Sequence, residues 1–265
     1  MNAAMDARDN DMPPQDWQGR PLDAAACAAC GYAALQAEGG CQPGRSCMQD
    51  VYARRIERFF RSNPSLARDE LAHPYFEVRA IAARHADLFH LTPLLADPDE
   101  TVRMQLALRL PQRQLLRLRD DPHREVRIRV AHRLDLAELP AMVRDPDYLV
   151  RSIVAQRLPA ALLPLLMHDA DLQVRLVVAG RLSMPALWRL LEDRAPELRR
   201  VLAQRLPAAL LDRLADDPDW TVRWEVAGRA QGAALQQLLR DPEPEVRQRA
   251  AERTQEPQPP EPVHG

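Results

Sequence analysis

From residue 73 onward the chain restates itself every 24 residues, with no insertion or deletion. The anchor is a Val-Arg pair, Leu-Arg once, beginning at Val78, Val102, Val126, Val150, Val174, Leu198, Val222 and Val246. Alanine stands five residues after every anchor, from Ala83 to Ala251. Aspartate stands five residues before it in all copies but the first, where His73 takes the place. Five copies continue Asp-Pro, at Asp97, Asp121, Asp145, Asp217 and Asp241. A strict period of this length marks a repeat array. One such unit cannot bury its own apolar face, and stacking supplies the missing core.

Each unit divides into two short elements. In the stretch from Asp97 to Pro111, the aspartate can cap a helix start and the proline presets φ near the first helical position. Val102, Leu106 and Leu110 then fall on one helical face. Ala107 lies beside that face, where a small side chain lets backbones approach, and Pro111 ends the element. A second apolar pair follows, Leu115 and Leu118, matched by Leu139 and Met142 and by Leu163 and Leu166. A helix of three turns takes about 11 residues. The remainder of the unit is too short for a second full helix plus two turns, so a single 3₁₀ turn is expected. A strand is disfavoured there, because the segments lack period-2 alternation and β-branched residues.

These units resemble the leucine-rich repeat variant (LRV) family over roughly residues 64 to 253. They are related in pattern to HEAT-like repeats, which are longer. The resemblance implies an all-α solenoid of eight 24-residue repeats, with α-helices alternating with short 3₁₀ helices in a right-handed superhelix. The expected organisation is a disordered tail at 1–20, a four-cysteine domain with a capping helix at 21–62, the solenoid at 63–253, and a proline-rich disordered tail at 254–265.

The eight aligned arginines invite a nucleic-acid reading, but residues 71–253 hold 28 arginines against 26 acidic residues. Nucleic-acid binding normally shows a basic excess. On a helical wheel Arg103 sits about 100° from Val102, at the edge of the buried stripe. Stacked units would pair these arginines with the repeat aspartates of their neighbours, bidentate as arginine prefers. One basic patch stands apart: Arg113, Arg117, Arg119, Arg124, Arg127, Arg129 and Arg133 outnumber Asp120, Asp121 and Glu125. An acidic partner could dock there. The position two after each anchor lies at about 200° and is expected to meet solvent. It is apolar at Met104, Ile128, Leu176 and Trp224, and Leu108 extends the strip. Such a strip reads either as scattered surface apolars or as a docking surface for an unidentified protein partner.

All four cysteines, Cys27, Cys30, Cys41 and Cys47, lie ahead of the array. The start of the chain lacks a basic, apolar leader, and no window approaches the roughly 18 apolar residues of a membrane span. A reducing cytoplasm is therefore expected, where clustered cysteines favour metal or redox chemistry over structural disulfides. Four thiolates suffice for a tetrahedral zinc or an iron–sulfur cluster. The C-x2-C…C-x5-C spacing departs from the doubled C-x2-C of many zinc sites, and Gly31, Gly39, Gly40 and Gly44 offer free N–H groups to cluster sulfur. An LRV array behind a four-cysteine segment resembles the iron–sulfur members of that family known from nitrogen-fixing bacteria. That resemblance implies a [4Fe–4S] cluster on Cys27, Cys30, Cys41 and Cys47, with zinc as the alternative.

Tyr52, Ile56, Phe59 and Phe60 recur at helical spacing before Asn63-Pro64, as in a degenerate first repeat. With Tyr75 and Phe76 they are expected to form an aromatic core where the two parts meet. The seven histidines show no metal spacing, and no phosphate loop or nucleophile elbow occurs, so catalysis by side chains is not expected. The expected roles are a redox- or oxygen-responsive binding scaffold, or alternatively an electron-transfer or metallocluster-assembly accessory, with nucleic-acid binding a further alternative.

Overall fold

The computed structural model describes residues 12–255. Among them no strand forms, and only three isolated antiparallel bridges occur. The chain divides into two compact units, one ending at Asp135 and one beginning at Leu136.

In the first unit the repeat helices are Phe76–His85, Glu100–Arg109 and Arg124–Arg133. In the second they are Tyr148–Arg157, Leu172–Arg181, Pro196–Arg205, Trp220–Ala227 and Pro244–Gln255. Within each unit consecutive repeat helices pack side by side. The expected 3₁₀ elements form at Thr92–Ala96, Leu116–Leu118, Leu139–Met142, Ala160–Leu166, Ala186–Leu190 and Ala208–Leu214. Two repeats depart from this: the second opens the element with an α-turn at Gln112–Leu115, and the seventh has an α-helix at Gly232–Leu238. In the first seven repeats the anchor residues, the apolar residues four and eight later, and the alanines between them are buried. Leu115, Leu139, Leu163, Leu187 and Leu211 close the core from the 3₁₀ side.

The arginine–aspartate pairs form as the repeat pattern requires. Arg103 donates from Nε to Asp121 Oδ2 at 2.7 Å and from Nη2 to Asp121 Oδ1 at 3.1 Å. Its Nη1 reaches the Asp97 carbonyl of its own repeat at 2.7 Å. The same fork joins Arg79 to Asp97 in the first unit. In the second unit it joins Arg151 to Asp169, Arg175 to Asp193, Arg199 to Asp217 and Arg223 to Asp241. Each aspartate also accepts the backbone N–H two residues on, as Asp97 Oδ1 does from Asp99 at 2.9 Å. One guanidinium thus fixes its own turn and the next. Lysine, a point donor, cannot span these directions.

A second set of arginines, seven residues after the anchor, performs a different task. Arg109 donates to the carbonyls of Ala83 and Ala86, and Arg133 to that of Ala107. Arg181, Arg205 and Arg229 reach Ala155, Ala179 and Ala203 in the same way. Each caps orphan carbonyls at the C-terminal end of the preceding helix, where cations are also favoured by the helix dipole.

The apolar strip requires a correction. Met104, Ile128, Leu176 and Trp224 are half-buried. The buried positions of each helix span roughly 0° to 140° on the wheel, so solvent lies near 250°, not 200°. Position two is therefore a flank, and at Trp224 it faces the next helix, with the guanidinium of Arg249 5.1 Å over the ring. Leu108, at about 240°, stands in solvent, 50% exposed.

Candidate metal centre

The cysteine segment folds by short-range rules. Asp23 caps the helix Ala24–Ala28, accepting from the Ala26 N–H at 2.9 Å, and Cys27 falls in its last turn. Cys30 follows on the helix exit, its N–H bonded to the Cys27 carbonyl at 3.2 Å. The helix Ala33–Ala37 then ends in a glycine C-cap. Gly39, at φ +79°, donates to Gln36, and Gly40 donates to Leu35 at 2.8 Å. Only a residue without Cβ takes that φ at no cost.

The next turn explains the C-x5-C spacing. Gln42 and Ser46 exchange backbone hydrogen bonds of 2.7 and 2.8 Å, closing a minimal hairpin. Pro43 and Gly44 are its corner, with Gly44 at φ +73° and the Arg45 N–H bonded to the Gln42 carbonyl, the pattern of a type II turn. Cys41 and Cys47 flank the two ends of this hairpin and meet across its base.

All four cysteines are free and line one cavity. Leu22, Ala26, Tyr32 and Ala33 supply apolar walls, and Gln36 and Gln49 complete them; no carboxylate or imidazole takes part. Cys47 is buried and the other three are half-exposed. Cys47 donates its S–H to Cys41, which holds the Cys41 thiol below its ordinary range. The same bond, with burial, pushes Cys47 well up, against a smaller opposing pull from the Gln49 backbone N–H. Burial raises Cys27, aided by the charges of Cys47 and Cys30. An unmetallated site would thus hold its protons most firmly at Cys47 and Cys27, and cations must displace them there.

The donor set is wholly soft sulfur, which suits iron–sulfur clusters and zinc and excludes magnesium or calcium. The four thiols line one cavity, and four protein thiolates are the ligand set of an iron–sulfur cluster. The residues fit such a group.

Tertiary contacts tie the site to the first repeat. The Tyr32 hydroxyl donates to Glu70, and its ring meets Phe59 edge-on at 5.5 Å. Asn63 Nδ2 bonds the Gly40 carbonyl at 2.8 Å. Cys47 N–H donates to the Arg55 carbonyl at 3.2 Å. Phe59 and Phe60 are fully buried in the helix Ala53–Ser62, whose partner is the 3₁₀ segment Pro64–Glu70. This is the degenerate repeat the sequence suggests. Arg55 holds its ladder position, 24 residues before Arg79. The next repeat offers His73 in place of aspartate. His73 Nδ1 still accepts the Tyr75 N–H at 3.0 Å but cannot receive a bidentate fork. Arg55 turns instead to buried Asp50 at 3.0 Å and to the Met12 carbonyl at 2.8 Å.

The segment from residue 12 to 22 is a strap, not a tail. Asp16 is buried and accepts from Gln18, Arg20 and the Arg20 side chain. Trp17 stacks on Tyr75 with centroids 6.0 Å apart, and Val51 N–H donates to Gln15. The expected disordered tail therefore does not include residues 12–20. Of the tail expected at 254–265, Thr254 and Gln255 belong to the helix Pro244–Gln255; residues 1–11 and 256–265 lie outside the described residues.

The basic patch is largely committed to structure. Arg127 is buried against the Asp121 carbonyl at 2.9 Å, and Arg133 caps Ala107. Arg119 pairs with Asp120, Arg124 with Glu125, and Arg129 with the Glu125 carbonyl. Arg113 and Arg117 are exposed. Among the described residues no helix is long and apolar enough to cross a membrane.

Residues 14–69 match the family model described as the LRV protein FeS4 cluster, and residues 148–171 match the leucine-rich repeat variant model. The chain is 52% identical over 98 residues to an uncharacterized 27.7 kDa protein in the nifB 3′ region of Rhodobacter capsulatus. That alignment spans 37% of this chain and 39% of the relative's length. A solved structure, described as a leucine-rich repeat variant with a novel repetitive protein structural motif, superposes with a TM-score of 0.79 at 46% identity. The match covers 86% of this chain and 97% of that one. On these matches the chain belongs to the leucine-rich repeat variant family.

Proposed function

We propose that this protein is a non-enzymatic, iron–sulfur-containing scaffold whose solenoid binds a protein partner and whose cluster makes that binding redox- or oxygen-responsive. One observation carries the reading. The four sulfurs line a single cavity whose wall residue, Tyr32, is bonded to Glu70 and packed on Phe59 of the first repeat. Cys27, Cys30, Cys41 and Cys47 would hold a [4Fe–4S] cluster, which when bound supplies one-electron chemistry and oxygen sensitivity. Four protein thiolates leave no open coordination position for substrate. The chain's own part is mechanical. The turn at Pro43-Gly44 brings two thiols together, the glycine cap at Gly39 places a third element beside them, and Tyr32 and Asn63 transmit their order to the helix Ala53–Ser62.

Hydrogen exchange on anaerobically prepared protein tests this, read before and after chelation of iron. Protection in residues 53–70 should fall on chelation, and partner capture should change with it. Equal protection and equal capture in both forms would remove the responsive role.

A second reading is an electron-transfer or metallocluster-assembly accessory. It is favoured by the relative whose name places it in the nifB 3′ region. It requires a cluster that reduces reversibly at an accessible potential, and a cluster that decomposes on reduction would end it. The commitment of Arg119, Arg124, Arg127, Arg129 and Arg133 to acidic or backbone partners weighs against nucleic acid. Steeply salt-dependent binding would be that reading's signature.

A further inference from the structure

An open groove of about 540 Å³ lies in the second unit, between the turns of the fifth and sixth repeats. Its walls include His168, Arg189, Glu192 and Arg194 together with the ladder residues Asp169, Arg175 and Asp193.

The groove coincides with a break in the repeat. The residue after the conserved acid or histidine is proline at 74, 98, 122, 146, 218 and 242. It is alanine at 170 and arginine at 194, in adjacent repeats. A proline ring is therefore missing from both walls, and a cation replaces one of the two. In an array built from copies, a departure confined to one place is not required by the stacking that the other copies achieve without it.

The charge there is also unlike that of the ladder. Arg175 is spent on Asp193, and Asp169 is held by Arg151. Set aside, these pairs leave Arg189, Arg194 and His168 facing the single carboxylate of Glu192. Arg194 is anchored, donating from Nη2 to the Ala170 carbonyl at 3.1 Å, with its other donors unspent. Arg189 and His168 make no hydrogen bond or ion pair among the described residues.

We propose that this groove binds a small phosphorylated anion, gripped by Arg189 and Arg194 with His168 at its edge. A guanidinium is planar and presents parallel N–H donors matched to phosphate oxygens. The volume exceeds what inorganic phosphate needs, so a nucleotide or other organic phosphate is the expected occupant, within the size range of ligand pockets generally. The inference is independent of the cluster reading and survives its failure.

Titration calorimetry on the full chain as purified tests it, with inorganic phosphate, pyrophosphate, ATP and adenosine as separate probes. Saturable binding of ATP or pyrophosphate is expected, with adenosine silent. Inorganic phosphate as the tightest probe would assign the site to the free ion, and ATP as the tightest would assign it to a nucleotide; either supports a phosphate site. Arg189→Ala should weaken binding at least tenfold. Arg194→Pro, which restores the sequence of the other turns, should do the same while leaving the thermal midpoint within a few degrees of the parent. No saturable binding by any phosphate probe overturns the proposal. So does adenosine binding as tightly as ATP, or affinity unchanged in both variants.

Discussion

Replacing Arg103 by lysine keeps the charge and removes the fork. In the native structure Arg103 makes two hydrogen bonds to Asp121 and one to the Asp97 carbonyl, with side chains only 10% and 2% exposed for the pair. An ammonium can hold the carboxylate or the carbonyl well, but not both forks of the carboxylate as well. One charge-assisted bond lost in a buried setting costs roughly 1.5–3 kcal/mol, so Arg103→Lys should cost about 2 kcal/mol. Arg103→Ala should cost more, about 3–5 kcal/mol, because the Asp121 carboxylate is left buried and unpaired. Asp121→Asn keeps the acceptor for the His123 N–H at 2.8 Å while removing the charge. The double variant Arg103→Ala/Asp121→Asn should therefore be less damaging than the sum of its singles, with a coupling of about 2 kcal/mol. Urea titration followed by far-ultraviolet circular dichroism gives all four corners of the cycle. Additive effects, or an alanine variant within about 0.5 kcal/mol of the parent, would refute the view that these pairs join the repeats.

Arg109→Ala strips the caps from the Ala83 and Ala86 carbonyls and should lower stability by about 1–2 kcal/mol in the same titration. Gly44→Ala should loosen the metal centre. Its Cβ would meet only Pro14 at 3.8 Å, so the cost of about 1 kcal/mol comes from the φ of +73° alone; chelator should then strip iron faster than from the parent. Acid should weaken the array in a defined window. Burial raises Asp241, but hydrogen bonds from Arg223 and the Glu243 N–H outweigh it and leave the carboxyl below its ordinary range. Asp169 is held down likewise by Arg151 against its own burial. A depressed folded-state pKa means stability that is full above the unfolded value of about 3.9 and is lost as pH falls through the folded value. Asp169→Asn and Asp241→Asn should each flatten the acid limb of a stability-versus-pH curve, and an unaltered limb would contradict the assignment.

What the sequence makes legible follows from local and periodic rules. The 24-residue register, the 3₁₀ element and the arginine–aspartate forks all come from one unit repeated. The wheel position of Met104, Ile128, Leu176 and Trp224 misleads because it is centred on the anchor valine rather than on the buried arc, which is displaced towards Arg103 and Ala107. The second set of arginines carries a plain signal, arginine seven residues after the anchor in all copies but the first. Its meaning is hidden because the acceptors are backbone carbonyls one repeat away, which no side-chain pattern displays. The closeness of Cys41 and Cys47 is written in Pro43-Gly44, a turn signal of ordinary kind. The packing of Asp16 and Trp17 is not written locally at all, since it depends on Val51 and Tyr75 being brought alongside. The absence of lysine gains a physical sense in the anchor set, whose guanidinium holds a carboxylate and a carbonyl in two directions at once.

The central claim is that four thiols from residues 27–47 hold one iron–sulfur cluster. Iron and acid-labile sulfide analysis of anaerobically purified full-length chain tests it most directly. The account predicts about four irons and about four sulfides per chain, falling towards zero when Cys47 is replaced by serine. One equivalent of zinc without sulfide, or iron retained unchanged after that substitution, would contradict it.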